Sequence, residues 1–177
     1  MNILAYPLKY ILPAQLPDGT LVQLRPIHPL DGGRATAFRS TLSDESMWAR
    51  FHGYIPAISA KLIKRLTQID YQQEMAIIAE LPHEEEKEII AVARIVAIPE
   101  REQAAEFAII IADRWQGRGL GSLLTDLMIR IARDLHFSTL YAYVTSRNMP
   151  MLEILRRRGF TLDKEDETTV VTKLALE

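Results

Sequence analysis

Gln116-Gly117-Arg118-Gly119-Leu120-Gly121 is the stretch around which this chain is organised. Its alternating glycines keep the backbone free of side-chain bulk, so successive N–H groups can turn inward together. Immediately beyond, Leu120, Leu123, Leu124, Leu127, Met128, Ile131, Ala132 and Leu135 recur at the spacing of an amphipathic helix. Just before, Glu106-Phe107-Ala108-Ile109-Ile110-Ile111 reads as a buried strand. Strand, glycine turn and helix N-terminus in succession make an anion site, because unpaired N–H groups and the helix dipole both favour a phosphate.

Spacing separates the familiar glycine loops. A P-loop needs Lys and then Ser or Thr after its last glycine, and Gly121 is followed by Ser122-Leu123. A dinucleotide fingerprint would need glycine where Ser122 stands, and an acidic residue about 20 positions on. The expected next strand, Thr139 to Val144, instead runs into Thr145-Ser146-Arg147. What remains is Q/R-x-x-G-x-G/A, met by Gln116, Gly119 and Gly121, or a glycine turn that holds no ligand.

The Q/R-x-x-G-x-G/A pattern resembles the coenzyme A pyrophosphate loop of the GCN5-related N-acetyltransferases. Asn148 and Gly159-Phe160 bracket a short helical stretch in the position of that family's second motif. Further segments occur in order: Leu24-Arg25-Pro26-Ile27, Leu42-Ser43-Asp44-Glu45-Ser46, Arg50-Phe51, Thr67-Gln68-Ile69-Asp70-Tyr71, Glu74-Met75-Ala76 and Ala105-Glu106-Phe107-Ala108. Together they resemble the acetyltransferase domain of the bacterial protein lysine acetyltransferases of the Pat type, from about Tyr6 to the C-terminus. The resemblance implies the α/β (mixed α+β) acyltransferase fold: a mixed central sheet flanked by helices, with two parallel strands splayed apart to admit pantetheine.

The chain has 177 residues, a formal charge of −2 and no cysteine. That length suits one domain, residues 1–177, with a real core. The slight negative charge argues against non-specific nucleic-acid binding. Lack of cysteine excludes disulfides, thiolate metal sites and a cysteine acyl-enzyme, and is compatible with a reducing cytoplasm. No stretch approaches the roughly 20 apolar residues of a membrane span, and no signal pattern opens the chain. We therefore expect a cytoplasmic protein without nucleic-acid, membrane or metal partners.

Pro7, Pro13 and Pro17 predict an extended arm over residues 1–19. A first strand follows at Leu21 to Arg25, then helices at Leu30 to Leu42 and from Ser59 to about Leu66. Met75 to Leu81 and Ile89 to Ile98 read as strands around a solvated tip at Glu84-Glu85-Glu86. After the central helix come the Thr139 strand, a helix near Met149, and strands at Thr161 to Lys164 and Thr169 to Leu174.

Acetyl transfer to an amine needs a held thioester, a neutral amine and donors for the oxyanion. A lysine with a pKa near 10.4 is neutral about once in ~2500 molecules at pH 7, so a base must take its proton. Without cysteine, and without a Ser–His–Asp arrangement, direct attack in a ternary complex is the economical route. Glu106 is the candidate base: an apolar strand would strip its hydration and raise its pKa. On local grounds it could equally be an exposed strand-end glutamate. The resemblance favours catalysis, since the Pat-type glutamate lies in this A-E-F-A segment.

The resemblance further implies that acetyl-CoA is the donor. The backbone of Gly117, Arg118, Gly119, Leu120, Gly121 and Ser122 would hold its pyrophosphate, with Gln116 shaping the loop, and the main chain of Phe107, Ala108, Ile109 and Ile110 would meet the pantetheine. Arg114 and Arg118 are either phosphate partners or solvated. Asn148 either faces the coenzyme or caps its helix. Arg156-Arg157-Arg158 could reach a 3′-phosphate or simply complement the helix dipole. Asp70, Tyr71 and Glu74 line the acceptor entrance or only shape a turn. Many family members place an acidic tyrosine seven residues after the asparagine; here that position is Leu155. The thiolate then leaves unaided or draws on Tyr141 or Tyr143. None of the four histidines is assigned a role.

The expected function is acetyl-CoA-dependent acetylation of protein lysines, with small-amine acylation or a non-catalytic acyl-CoA sensor as alternatives. Pat-type proteins often carry a regulatory domain. With Met1 so close to the acetyltransferase segment, none is expected on this chain.

Overall fold

The computed structural model describes residues 6–51, 59–82, 87–164 and 166–176. The expected acidic tip at Glu84-Glu85-Glu86 and the first five residues of the arm lie outside them. Eight strands form one sheet: β1 (Leu12–Gln15), β2 (Leu21–Pro26), β3 (Glu74–Glu80), β4 (Ile89–Ala97), β5 (Ala104–Ile111), β6 (Thr139–Thr145), β7 (Thr161–Lys164) and β8 (Thr169–Ala175). The helices are α1 (Gly32–Arg39), α2 (Asp44–Phe51), α3 (Ala60–Thr67), α4 (Leu120–Asp134) and α5 (Met149–Arg156).

The strands lie in the order β1-β2-β3-β4-β5-β6-β8-β7. Neighbours are antiparallel except β5 and β6, which run parallel and are joined through α4, since parallel strands need a long crossover. Every residue of β3 is buried, and Ile89, Ile90, Ala91, Ala93 and Ile95 of β4 are buried too. Near-continuous apolar runs of this kind suit strands covered on both faces. The Leu120, Leu124, Met128 and Ile131 stripe of α4 is fully buried, as its periodicity predicts.

Two elements depart from the sequence reading. Residues 12–15 of the arm pair with β2 as an edge strand, and Pro13 is tolerated there because an edge position can spare an N–H. The helix expected at Leu30 to Leu42 divides. A single 3₁₀ turn, Pro29–Asp31, is capped by His28, whose Nδ1 accepts from the Leu30 N–H at 3.2 Å. Then comes α1, and after a break an unexpected second helix, α2. Ser43 Oγ accepts from the Ser46 N–H at 3.2 Å, and Asp44 and Glu45 occupy the first turn of α2. A serine cap followed by acidic residues is a helix-start signature that would have revealed it.

Candidate active site

The parallel ladder between β5 and β6 is short. Its Cα partners are Ala104↔Thr139, Ala105↔Leu140 and Glu106↔Tyr141, and there it ends. From Phe107 and Ala142 onward the strands diverge while each stays paired on its outer side, β5 to β4 and β6 to β8. The expected splay is therefore present, and it opens a cleft of about 580 Å³. Its walls are Phe107 to Ile111 on one side, Ala142 to Thr145 on the other, and residues of α2 and α5. At roughly 3.3 Å per residue, the path from Glu106 to Ile111 is about 16 Å long.

At the far end the cleft is lined by Gln116 and Gly121 of the glycine loop. Gly117 and Gly119 have φ of 71° and 96°, left-handed values that favour glycine. The first helical bond, from the Leu123 N–H to the Gly119 carbonyl at 3.1 Å, leaves the N–H groups of Leu120, Gly121 and Ser122 without partners inside α4. Gln116 does shape this turn: its Nε2 donates to the Ile111 carbonyl at 3.1 Å and to Ser46 Oγ at 3.0 Å. Asp113 completes the tie to α2, accepting from the Ser46 hydroxyl at 2.8 Å and the Ser43 N–H at 3.1 Å. The unforeseen helix is thus fastened to the loop and packs over β5 and β6.

Glu106 lies at the narrow end of the cleft and is half-buried. Strand alternation puts it on the same face as Ala108 and Ile110, and the register aligns that face with Arg94 of β4 and Tyr141 of β6. Arg50, from α2, lines the cleft with it. The Arg50 guanidinium stacks on the Phe51 ring, 4.8 Å from its centroid, and among the described residues makes no hydrogen bond or ion pair. Burial pulls its pKa below the ordinary arginine value, and the Glu106 charge acts in the opposite direction. Sequence reasoning quoted Arg50 only as part of a motif; its place beside Glu106 depends on how α2 packs.

The two tyrosines separate. Tyr143 lines the cleft, whereas Tyr141 lies under Arg101, whose guanidinium is 4.5 Å from its ring centroid. Leu155, at the family's tyrosine position, is 0% exposed and belongs to the core. Asn148 caps its helix, Oδ1 accepting from the Met151 N–H at 3.2 Å, and the residue also lines the cleft.

Other candidates are engaged elsewhere. Arg118 pairs with Asp18 at 2.6 Å and stacks over Trp115, and Arg114 pairs with Glu88. Arg156 and Arg157 both bind Glu153, and Arg158 binds Asp126. Asp70 Oδ1 accepts from the N–H groups of Gln72, Gln73 and Glu74, so it organises the entry to β3. The Tyr71 hydroxyl donates to the Ile27 carbonyl at 2.7 Å. Glu74, 8% exposed, is held between Arg94 and Arg65. None of these three residues lines the cleft. Among the described residues, no group of three or more His, Asp or Glu is placed to hold a metal, and no helix is long and apolar enough to cross a membrane.

The cleft has Glu106 at one end and Gln116 and Gly121 of the glycine loop at the other, and the splay that opens it is the one the sequence resemblance implied. The chain belongs to the acetyltransferase (GNAT) family, whose model matches residues 39–160, and is an acetyltransferase. It is 35% identical over 163 residues to acetyltransferase PA5475 of Pseudomonas aeruginosa, covering 91% of this chain and 87% of that protein. It is 29% identical over 163 residues to acetyltransferase Pat of Mycolicibacterium smegmatis, covering 92% of this chain but 48% of Pat, and so spans about half the length of that relative. Among solved structures, the GNAT domain of S. lividans PAT superposes with a TM-score of 0.86 at 27% identity, over 97% of this chain and 99% of that one.

Proposed function

We propose that this chain transfers the acetyl group of acetyl-CoA directly to an amine, with lysine side chains of a protein as acceptor and Glu106 as general base. The observation that supports the reading is the end of the β5–β6 ladder at Glu106↔Tyr141: a thioester that entered between the parting strands would stop beside this carboxylate. The pyrophosphate lies on the N–H groups of the glycine loop, and the pantetheine runs along Phe107 to Ile110. The distance between loop and apex suits that elongated arm.

In the reaction, Glu106 accepts a proton from the ammonium, directly or through a water. The neutral nitrogen attacks the thioester carbonyl carbon, and the C–S bond of the tetrahedral oxyanion then breaks. Coenzyme A leaves as the thiolate, which takes up a proton, while the acylated nitrogen gives up its second proton to become the amide, so the two transfers balance. A thiol pKa near 8.5 makes it a tolerable leaving group. Tyr143 is the better placed of the two tyrosines to supply that proton, because it lines the cleft. The absence of cysteine fits a reducing compartment, and we assign the activity to the cytoplasm.

A second reading, acetylation of a small amine, is favoured by one feature. Arg50 offers the acceptor side a guanidinium with no hydrogen-bonded partner among the described residues, which suits an amine that also bears a carboxylate. Calorimetric titration with acetyl-CoA, followed by turnover with a lysine peptide and with free amino acids, tests both readings. Glu106→Gln should keep acetyl-CoA affinity and lose about 10²- to 10⁴-fold in turnover. Unchanged turnover would remove Glu106 from the mechanism.

A further inference from the structure

The turn between β1 and β2 presses on the glycine loop from outside, although about a hundred residues separate them in sequence. Pro17 abuts Gly119 so closely that a Cβ on that glycine would lie 2.8 Å from Pro17 Cδ. Asp18 Oδ2 accepts from Arg118 Nε at 2.7 Å and lies 2.6 Å from its Nη2, while the same Nη2 donates to Thr20 Oγ1 at 3.0 Å. The other face of the guanidinium covers the Trp115 ring at 4.1 Å. Asp18 is itself fixed, because its Oδ1 accepts the Thr20 N–H at 2.9 Å.

We propose that Asp18 is a positioning residue for the phosphate loop: it holds Arg118 against the β1–β2 turn, so that Arg118 braces the loop and the backbone alone meets the pyrophosphate. This rests on the reading of the loop as the acetyl-CoA site. An exposed ion pair alone contributes little. Here both partners are already immobilised, one by its turn and the other by the indole, so little rotamer freedom is lost in making the contact. The loop they brace must hold left-handed φ at Gly117 and Gly119 to keep its N–H groups convergent. Hydrogen bonds from Thr20 and Arg118 hold the Asp18 carboxyl down at about 2, so the brace stays charged across the working pH range.

The test compares wild type, Asp18→Asn, Arg118→Ala and the double variant Asp18→Asn/Arg118→Ala, by calorimetric titration with acetyl-CoA and by steady-state kinetics. Asp18→Asn keeps the oxygen that accepts from Thr20 and so leaves the turn intact. A brace predicts about tenfold weaker acetyl-CoA binding and a raised KM in Asp18→Asn, with kcat retained at saturation. It also predicts a similar loss in Arg118→Ala, and little further loss when the two changes are combined, because each removes the same contact. Tighter binding in Asp18→Asn would mean that Asp18 restrains a phosphate-binding arginine, and would overturn the proposal. So would unchanged affinity in Asp18→Asn beside a loss in Arg118→Ala. Wild type that fails to bind acetyl-CoA would instead sink the reading of the loop, and the brace with it.

Discussion

Glu106 and Tyr141 stand directly opposite each other, and they are the last partners in the parallel ladder of β5 and β6. Above this pair the sheet is open; below it the sheet is closed. A carboxylate on the final rung faces an entering ligand without leaving the support of the rungs beneath it. Val96 on the other side of Glu106 continues the β4 pairing, so the strand that carries this carboxylate is anchored on both flanks.

The two left-handed glycines of the loop should differ in tolerance. Alanine at Gly117 meets nothing within 4 Å, so its cost is backbone strain alone, about 1–2 kcal/mol. Alanine at Gly119 adds the collision with Pro17, a ring that cannot rotate away. Gly119→Ala should therefore be the more destabilising in urea titrations and should weaken acetyl-CoA binding more than Gly117→Ala does. Equal effects would show that Pro17 yields.

Tyr143→Phe and Tyr141→Phe separate a proton donor from a packing residue. If Tyr143 protonates the departing thiolate, its loss should lower kcat by about 10²-fold or more, with KM for acetyl-CoA little changed. Tyr141→Phe should leave kcat within about twofold, because Arg101 covers its ring outside the cleft. Equal kcat in both variants would mean that the thiolate leaves unaided.

Restoring the family's tyrosine should do harm here. Leu155 is fully buried, and Leu155→Tyr adds a ring and a hydroxyl where the core is already filled. Overpacking of this kind costs about 1–3 kcal/mol. A fall in Tm without any gain in kcat is expected; a gain would show that the core can open and let the hydroxyl reach the cleft.

Tyr71 supplies an alkaline signature. Burial is the main cause that raises its pKa, to about 12, and the nearby Tyr6 and Asp31 add to it. The folded state thus prefers the neutral phenol. The associated stability is fully present below about pH 10, the unfolded value, and is lost as pH rises through about 12. Urea midpoints of wild type should fall between pH 10 and 12 more steeply than those of Tyr71→Phe. At neutral pH that variant should cost about 0.5–1.5 kcal/mol, the worth of the bond to the Ile27 carbonyl. Parallel pH profiles would exclude Tyr71 as the source.

Much of the fold was legible because it is local. The strand before the loop, the stripe of α4 and the cap Ser59, whose Oγ accepts from the Leu62 N–H at 3.1 Å, all follow from neighbouring residues. β1 was hidden because Pro13 argues against a strand unless one knows that it lies at an edge. α2 was missed although Ser43, Asp44 and Glu45 mark its start. In the site, Gln116 and the glycines were legible for the same local reason. Arg50 beside Glu106 and Asp18 beside Arg118 were not, since only folding brings those residues together. The divergence of β5 from β6 leaves no mark in hydrophobic periodicity, which sees each strand by itself.

That divergence makes the sheet two blades, β1 to β5 and β6 to β8, sharing one short seam of three rungs. A molecule with amides along its length can lie between the facing edges and take the places of the absent rungs, as an added strand would. A donor bound in this way would work as a structural member of the enzyme as well as its reactant. Each turnover in which coenzyme A departs would remove part of the framework that aligned the reacting groups.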